Sequence, residues 1–224
     1  MGIKENIETV KANIKKYSKN PDDVTLIAVT KTVDYERMME SYDAGIRDFG
    51  ENKVQEILNK KPLFPSDVRW HLIGTLQTNK VKQILDKVVL IHSLDSEHLA
   101  SEINKRAESL VPCLIQINIS SEESKHGIKA EDALKFAENI DKNFPNIKIS
   151  GFMGMAPFVE NEIDSKPYFV KMREIFDEAR LMRFERAEIK YLSMGMTNDY
   201  KTALSVGSNM VRIGTAIFGK RNYN

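Results

Sequence analysis

Lys31 occupies a position in this 224-residue chain where an amine could act as a nucleophile. It follows the apolar run Val24–Val29 and stands between two threonines in the segment TLIAVTKT. A lysine at the end of a buried strand points into a partly enclosed site, where desolvation favours the neutral amine that attacks aldehydes. The alternative is a solvated lysine at the start of a loop, and position alone favours that alternative.

A second group of candidates lies in the segment MVRIGT, residues 210–215. Gly214 and Thr215 end an apolar run just before a helix start, where backbone N–H groups and a hydroxyl offer an anion site. A plain helix cap by Thr215 explains the same residues equally well. Arg212 points to the opposite side of this strand from its apolar neighbours. A buried cation needs a partner, which is either a ligand or, more simply, a carboxylate in a structural ion pair.

The other reactive residue types of the sequence do not form a recognisable site. The four histidines lack the H-x-x-x-H spacing of a zinc site, and no G-x-S-x-G elbow is present. Cys113 is the single cysteine, which excludes an internal disulfide and a cysteine-rich zinc site. His71 follows Trp70 on a candidate strand and faces either a ligand or the core. We therefore predict no metal site.

Composition and charge exclude several classes of protein. The 33 Lys and Arg residues balance 32 Asp and Glu residues, so the net charge of +1 provides no basic field for nucleic acid. No apolar run approaches the length of a membrane helix, and the start MGIKENIETV lacks the apolar core of a secretory signal. We predict a cytoplasmic protein that binds neither nucleic acid nor membrane.

Short apolar runs that resemble buried strands recur along the chain, and most are followed by an amphipathic stretch of helical period. The predicted strands are residues 24–29, 46–49, 70–73, 88–92, 113–119, 147–152, 189–192 and 210–213. Apolar strands that alternate with helices indicate a parallel sheet covered on both faces. Eight such units predict an α/β fold, a single (β/α)8 TIM barrel over residues 1–224. An open doubly wound sheet is the alternative. The polar stretch 120–127 is either a binding loop or a solvated loop.

Six segments together carry a resemblance to a known family. They are LIAVTKT, FGENKVQE, WHLIGTLQTNK, QINISSEESKHGI, GFMGMAP and LSMGMTNDYKTALSVGSNMVRIGTAIFG, in this order. Over roughly residues 24–219 the chain resembles the pyridoxal-phosphate homeostasis protein family, also called the YggS/PROSC family. The resemblance implies the fold of the amino-terminal barrel of alanine racemase and the cofactor pyridoxal 5′-phosphate (PLP).

The resemblance also implies roles for individual residues. It places an internal aldimine with PLP at Lys31 and phosphate contacts at Thr197, Gly214 and Thr215. Many relatives have serine where this chain has Thr197, and the hydroxyl is retained. Arg212 is expected to face the pyridine nitrogen. Further residues expected to line the pocket are Asn52, His71 and Met194. Because a barrel closes its first strand on its last, the lysine and the phosphate site become neighbours.

Two functions are compatible with this pocket. Arginine keeps its own proton and leaves the ring nitrogen of PLP neutral, which weakens the stabilisation of a substrate carbanion. Racemases of the related fold take a second acid–base group from an added C-terminal domain, which we expect to be missing here. We therefore predict a non-enzymatic carrier, expected to be a monomer, that holds PLP and supplies it to apo-enzymes. The alternative is an amino-acid racemase of narrow scope.

Overall fold

The computed structural model describes residues 2–120, 122 and 126–219. The predicted limits at residues 1 and 224 therefore lie outside the described residues, as do residues 121 and 123–125 of the polar stretch 120–127. The strands are β1 (Thr25–Val29), β2 (Asp48–Glu51), β3 (Arg69–Leu72), β4 (Leu90–Leu94), β5 (Val111–Asn118), β6 (Ile128–Lys129), β7 (Ile147–Gly154), β8 (Tyr191–Ser193) and β9 (Met210–Ile213).

Helices alternate with these strands along the chain. They are α1 (Ile3–Tyr17), α2 (Tyr35–Asp43), α3 (Val54–Lys60), α4 (Val81–Ile84), α5 (Glu97–Arg106), α6 (Ala133–Asn143), α7 (Lys166–Leu181), α8 (Tyr200–Val206) and α9 (Thr215–Phe218). Short polar side chains begin two of them: Asp34 accepts a hydrogen bond from the Arg37 N–H at α2, and Ser96 accepts one from the Leu99 N–H at α5. Within the described residues, no helix is both long enough and apolar enough to cross a lipid bilayer.

Eight of the strands close into a parallel barrel. The pairing runs β1-β2-β3-β4-β5-β7-β8-β9 and returns to β1, and every pairing is parallel. Closure is visible at Ile27 of β1, which is opposite Asp48 of β2 on one side and Arg212 of β9 on the other. The predicted (β/α)8 barrel is confirmed, and the open doubly wound sheet is excluded because such a sheet has two free edges.

The structure differs from the predicted strands in two respects. The short strand β6, which pairs with β5 through Ile117 and Ile128, was not predicted because two residues beside a polar stretch form no apolar run. Strands β2, β4 and β8 begin two residues later than the predicted runs, and β5 begins two residues earlier. Strands β2 and β4 also extend two residues past their predicted ends, because they continue through buried polar residues, Glu51 and Ser93, that do not belong to an apolar run.

The barrel has two separate apolar layers. A large layer lies between the strands and the helices and contains Trp70, Phe49 and the buried stripe of α1. A smaller cluster fills the barrel interior and consists of Ile27, Leu90, Leu114, Met153 and Met210. Because side chains alternate along a strand, the same strands also bring polar residues into the interior. These buried polar residues include His71, His92, Ser193 and Arg212.

Candidate functional site

A cavity of about 1020 Å³ opens at the carboxyl ends of the barrel strands. Six of the residues singled out in the sequence line it: Lys31, Asn52, Thr197, Arg212, Gly214 and Thr215. Strands β1 and β9 are direct neighbours, so the residues that follow them meet at one edge of the cavity. The carboxyl end of a β/α barrel is also where active sites of this fold are built.

Lys31 lies in a tight turn that follows β1. The Val33 N–H donates to the Thr30 carbonyl at 3.0 Å, which closes the turn around the lysine. Thr32 has a φ of 61°, and it is the one residue other than glycine in the described part of the chain with a positive φ. A β-branched residue in the left-handed region is strained, so its surroundings must hold it there. Lys31 itself is partly buried and contributes to the cavity wall.

Arg212 is a buried cation held by neutral groups. Its Nη1 donates to Ser193 O at 2.9 Å and to Ser193 Oγ at 2.6 Å, and its Nη2 donates to Gly154 O at 3.1 Å. Among the described residues it forms no salt bridge, so the structural ion pair considered from the sequence is not found. Burial lowers the pKa of Arg212 to about 10, and the nearby Asp199 opposes this shift. The guanidinium therefore remains charged at neutral pH, and its remaining N–H groups are available at the cavity.

A chain of hydrogen bonds leads from Arg212 through the barrel interior. Ser193 Oγ lies 3.3 Å from His92 Nδ1. His92 Nε2 lies 3.1 Å from His71 Nδ1, and His71 Nε2 lies 2.9 Å from Asp48 Oδ1. Ser193 Oγ accepts a hydrogen bond from the arginine, so its hydroxyl donates to His92 Nδ1. The Nε2–H of His92 then donates to His71 Nδ1, and the Nε2–H of His71 donates to Asp48. Burial, helped by the charges of its neighbours, lowers the pKa of His92 well below its ordinary value, so this histidine is neutral.

The carboxylate at the end of this chain is ionised. Burial alone would raise the pKa of Asp48, but hydrogen bonds from His71 and Arg69 outweigh burial and lower it. Arg69 also forms an ion pair with the second oxygen of Asp48 at the amino end of the barrel. The interior of the barrel thus contains a column of hydrogen-bonded polar side chains that runs from the charged Arg212 to the charged Asp48. We call its central part, His92 and His71, the histidine column.

The proposed phosphate residues come from two loops joined by a hydrogen bond. The Ala216 N–H donates to Thr197 Oγ1 at 3.2 Å, which brings Thr197 against the turn after β9. Gly195 has a φ of 95°, and a Cβ there would lie 2.7 Å from the Cβ of Ala203, so only glycine fits. Asp199 Oδ1 accepts from the Met196 N–H at 2.6 Å and closes the loop around Thr197.

Asn52 lies at the cavity because two neighbouring loops approach each other closely. A Cβ on Gly74 would lie 2.4 Å from the carbonyl oxygen of Asn52, so the loop after β3 requires glycine to pack against the loop after β2. Gln116 of β5 also lines the cavity and donates to the His126 carbonyl at 3.1 Å. Gln116 was not predicted as a site residue, although a lone amide inside an apolar strand is a signal that could have identified it.

Two of the predicted residues do not reach the cavity. His71 points inward but lies before the end of β3, and it lines a smaller cavity of about 450 Å³ at the amino ends of the strands. Met194 follows Ser193 and therefore points to the other side, where it is fully buried in the layer between barrel and helices. Both residues lie near site residues in the sequence. Strand alternation turns Met194 away from the cavity, and His71 lies too early in β3 to reach it.

The donors at the cavity suit an anionic ligand with an aldehyde. Lys31 supplies an amine, Arg212 a cation, and Thr197 and Thr215 supply hydroxyl groups beside a backbone turn. Formation of a Schiff base with an aldehyde requires such an amine, and binding of a phosphate group requires several hydrogen-bond donors close together. Within the described residues, no group of three or more histidine, cysteine or carboxylate side chains could hold a metal ion.

Comparison with known proteins agrees with this geometry. Residues 3–222 match the family model described as alanine racemase, N-terminal domain. A pyridoxal phosphate homeostasis protein of Aquifex aeolicus is 42% identical over 221 residues, which cover 97% of this chain and 96% of that protein. A protein of the same name from Haemophilus influenzae is 38% identical over 234 residues, which cover 100% of this chain and 98% of that protein.

A solved structure supports the same assignment. PipY of Synechococcus elongatus, solved with PLP bound, superposes with a TM-score of 0.83 at 28% identity, and the match covers 97% of this chain and 100% of PipY. Sequence matches that span nearly the whole of both proteins exclude a resemblance limited to one motif. The chain therefore belongs to the pyridoxal phosphate homeostasis protein family, whose fold is that of the alanine racemase N-terminal domain.

Proposed function

We propose that this protein binds PLP in the cavity at the carboxyl end of the barrel, holds it reversibly and supplies it to apo-enzymes. The observation that carries the proposal is the meeting of Lys31, after β1, with Gly214 and Thr215, after β9, beside the buried cation Arg212. PLP has an aldehyde, a phosphate and a ring nitrogen. An amine, a set of anion donors and a cation in one cavity match these three groups.

Each residue then has a defined role. The Lys31 amine attacks the aldehyde carbon, and loss of water leaves a Schiff base. Thr197, Gly214 and Thr215 donate hydrogen bonds to the phosphate. Arg212 donates to the ring nitrogen, and because the guanidinium keeps its proton at neutral pH, that nitrogen stays unprotonated. PLP supplies an electron sink when it is bound, and this arrangement weakens the sink.

The rim of the cavity supports transfer to another protein. Phe158 lies at the rim with 85% of its surface exposed, and Met155 and Met196 beside it are also exposed. Exposed apolar side chains that cluster on a surface favour contact with other proteins. In this proposal a monomer acts in the cytoplasm, where the buried free thiol of Cys113 remains reduced.

An amino-acid racemase of narrow scope is the second candidate. Lys53 and His126 also line the cavity, and both are residue types that can move a proton. A racemase needs a group that exchanges a proton with the substrate on the face opposite Lys31. Arg212 argues against efficient racemisation, because a neutral ring nitrogen stabilises a carbanion poorly.

The binding proposal is tested by fixing PLP to the protein with borohydride. Incubation with PLP should produce a visible absorbance band, and reduction followed by peptide mapping should find the label on Lys31. Lys31→Ala should lose both signals, whereas Lys82→Ala, which removes an exposed lysine on α4, should keep them. A label found mainly on another lysine of the wild-type protein would contradict the assignment.

A further inference from the structure

A buried charged cluster lies directly behind the Lys31 turn. Glu51, at the end of β2, is fully buried, and its Oε1 accepts from Thr30 Oγ1 at 2.6 Å and from Lys60 Nζ at 2.6 Å. Lys60, at the end of α3, also donates to Glu56 Oε2 at 3.0 Å. Glu51 and Lys60 do not line the cavity, and the functional roles described above do not use them.

This cluster contacts both neighbours of Lys31 in the chain. Lys60 Nζ donates to the Thr30 carbonyl at 2.8 Å, so the ammonium bonds the same residue whose hydroxyl bonds Glu51. On the other side of Lys31, the N–H of Thr32 donates to Glu56 Oε2 at 3.4 Å. The backbone before and after Lys31 is therefore held by one ion-pair network, and only the Lys31 side chain is left to enter the cavity.

The cluster is costly to bury. The second carboxylate oxygen of Glu51, Oε2, is buried without a hydrogen-bond partner in the described structure. A buried ion pair is often no more stabilising than apolar residues of the same volume, so packing alone does not explain this one. What the charged groups provide, and apolar ones could not, is directional bonds to a turn that contains the strained residue Thr32.

We propose that Glu51 and Lys60 are positioning residues that hold the Thr30–Val33 turn so that the Lys31 amine faces the cofactor cavity. The inference rests on the proposed attachment of PLP to Lys31. Glu56 supports Lys60 and fixes the far side of the turn. The cluster touches neither the aldehyde nor the phosphate, so its effect is on how fast and how completely Lys31 reacts.

The test compares two lysines that each donate to a glutamate at 2.6 Å. Lys60→Met breaks the cluster, whereas Lys148→Met breaks the Lys148–Glu188 pair at the start of β7, at the amino end of the barrel. The measured quantity is the rate at which PLP is attached to Lys31, followed by visible absorbance and by borohydride labelling. We expect Lys60→Met to slow attachment about tenfold to a hundredfold, because a Lys31 amine that is held less well reaches its reactive position less often. Lys148→Met should change the rate less than twofold, and Lys60→Arg should restore most of it.

A second variant keeps the test valid if Lys60→Met fails to fold. The double variant Glu51→Gln with Lys60→Met leaves no unpaired buried charge at either position, so it should fold, and it should still attach PLP slowly. Wild-type attachment rates in the folded Lys60→Met and double variants would overturn the positioning role while leaving Lys31 as the attachment site. Absence of any Lys31 adduct in the wild-type protein would instead overturn the proposed function, and the inference with it.

Discussion

Arg212 Nη1 and Ser193 Oγ lie 2.6 Å apart in the barrel interior, and this bond joins the cofactor cavity to the column of buried histidines. Ser193 Oγ accepts a hydrogen bond from the arginine and donates one to His92 Nδ1, so one hydroxyl satisfies two buried groups. The guanidinium is held in place by this serine and by the Gly154 carbonyl. Asp199 is near enough to act on its charge, but among the described residues no carboxylate forms a salt bridge with it. A ligand at the cavity therefore meets a full positive charge in a fixed orientation.

Replacing Ser193 with alanine tests this bond. Ser193→Ala leaves His92 Nδ1 without its donor and Arg212 with one acceptor fewer, which should lower the free energy of unfolding by about 1–3 kcal/mol. The affinity for PLP should also fall, by a factor of about three to ten, because the guanidinium loses an anchor. Urea unfolding and PLP titration measure the two effects. Ser205→Ala, at an exposed residue of α8 whose hydroxyl donates to the Thr202 carbonyl, is the control: it should lower stability less than Ser193→Ala does and leave the affinity for PLP unchanged.

A separate prediction concerns Thr197, one of the residues proposed to bind the phosphate. Thr197→Val removes a hydroxyl and keeps the shape, so PLP should bind more weakly by about 1.5–3 kcal/mol, a factor of roughly ten to a hundred. Pyridoxal, which has no phosphate, should bind the wild-type protein weakly and should lose little further affinity in the variant. Thr197→Ser should retain PLP affinity because it keeps the hydroxyl. An equal loss of affinity for both ligands would show that Thr197 acts elsewhere.

Glu51 makes stability depend on pH in a known direction. Burial raises its pKa from the ordinary value of 4.5 to about 7, although Lys60 and the hydrogen bond from Thr30 oppose the shift; the negative charge of Glu56 adds to it. Between these two pH values the folded protein binds more protons than the unfolded chain, so the free energy of unfolding falls as pH rises. Relative to Glu51→Gln, the wild-type protein should lose stability from pH 4.5 to 7, at up to about 1.4 kcal/mol per pH unit, and change little above pH 7.

His92 contributes in the opposite direction, which is why the comparison with the variant matters. Its pKa is lowered by burial, so the folded protein resists protonation and loses stability as pH falls below the ordinary histidine value. This contribution is present in both proteins and cancels in the difference. Urea unfolding of the two proteins across this pH range gives the result. A wild-type protein that gains stability relative to Glu51→Gln as pH rises from 4.5 to 7 would contradict the raised pKa of Glu51.

The barrel, and the position of Lys31 and Gly214 at its carboxyl end, could be predicted because their signals are local. Each apolar run forms one strand, and the small or polar residues that follow a run lie at the carboxyl end of the barrel. Lys31 and Gly214 were singled out from such positions, and the resemblance to a family joined them into one site. Their placement at one cavity follows from closure of the barrel, which the count of apolar runs indicates.

The remaining features depend on side-chain contacts between elements far apart in sequence. The Glu51–Lys60 cluster is an example, since a glutamate within FGENK gives no sign that it is buried under the Lys31 turn. His71 shows the opposite error: its neighbour Trp70 and its motif suggested the pocket, but its strand position directs it to the histidine column. Strand register and the depth of each side chain in the barrel decide both cases, and neither can be read from residue type.

The choice between carrier and racemase is decided by exchange of the substrate α-proton. In the proposed complex a neutral ring nitrogen beside Arg212 weakens carbanion stabilisation, which slows removal of the α-proton. We therefore expect the loaded protein to exchange the α-protons of amino acids in deuterated water no faster than free PLP does. The same loaded protein, mixed with an apo PLP-dependent enzyme, should restore that enzyme's activity. An α-proton exchange rate that saturates with amino acid, exceeds the rate with free PLP and is lost in Lys31→Ala would establish the racemase instead. Loss of that exchange in His126→Ala or Lys53→Ala would then identify the second acid–base group, since both side chains line the cavity.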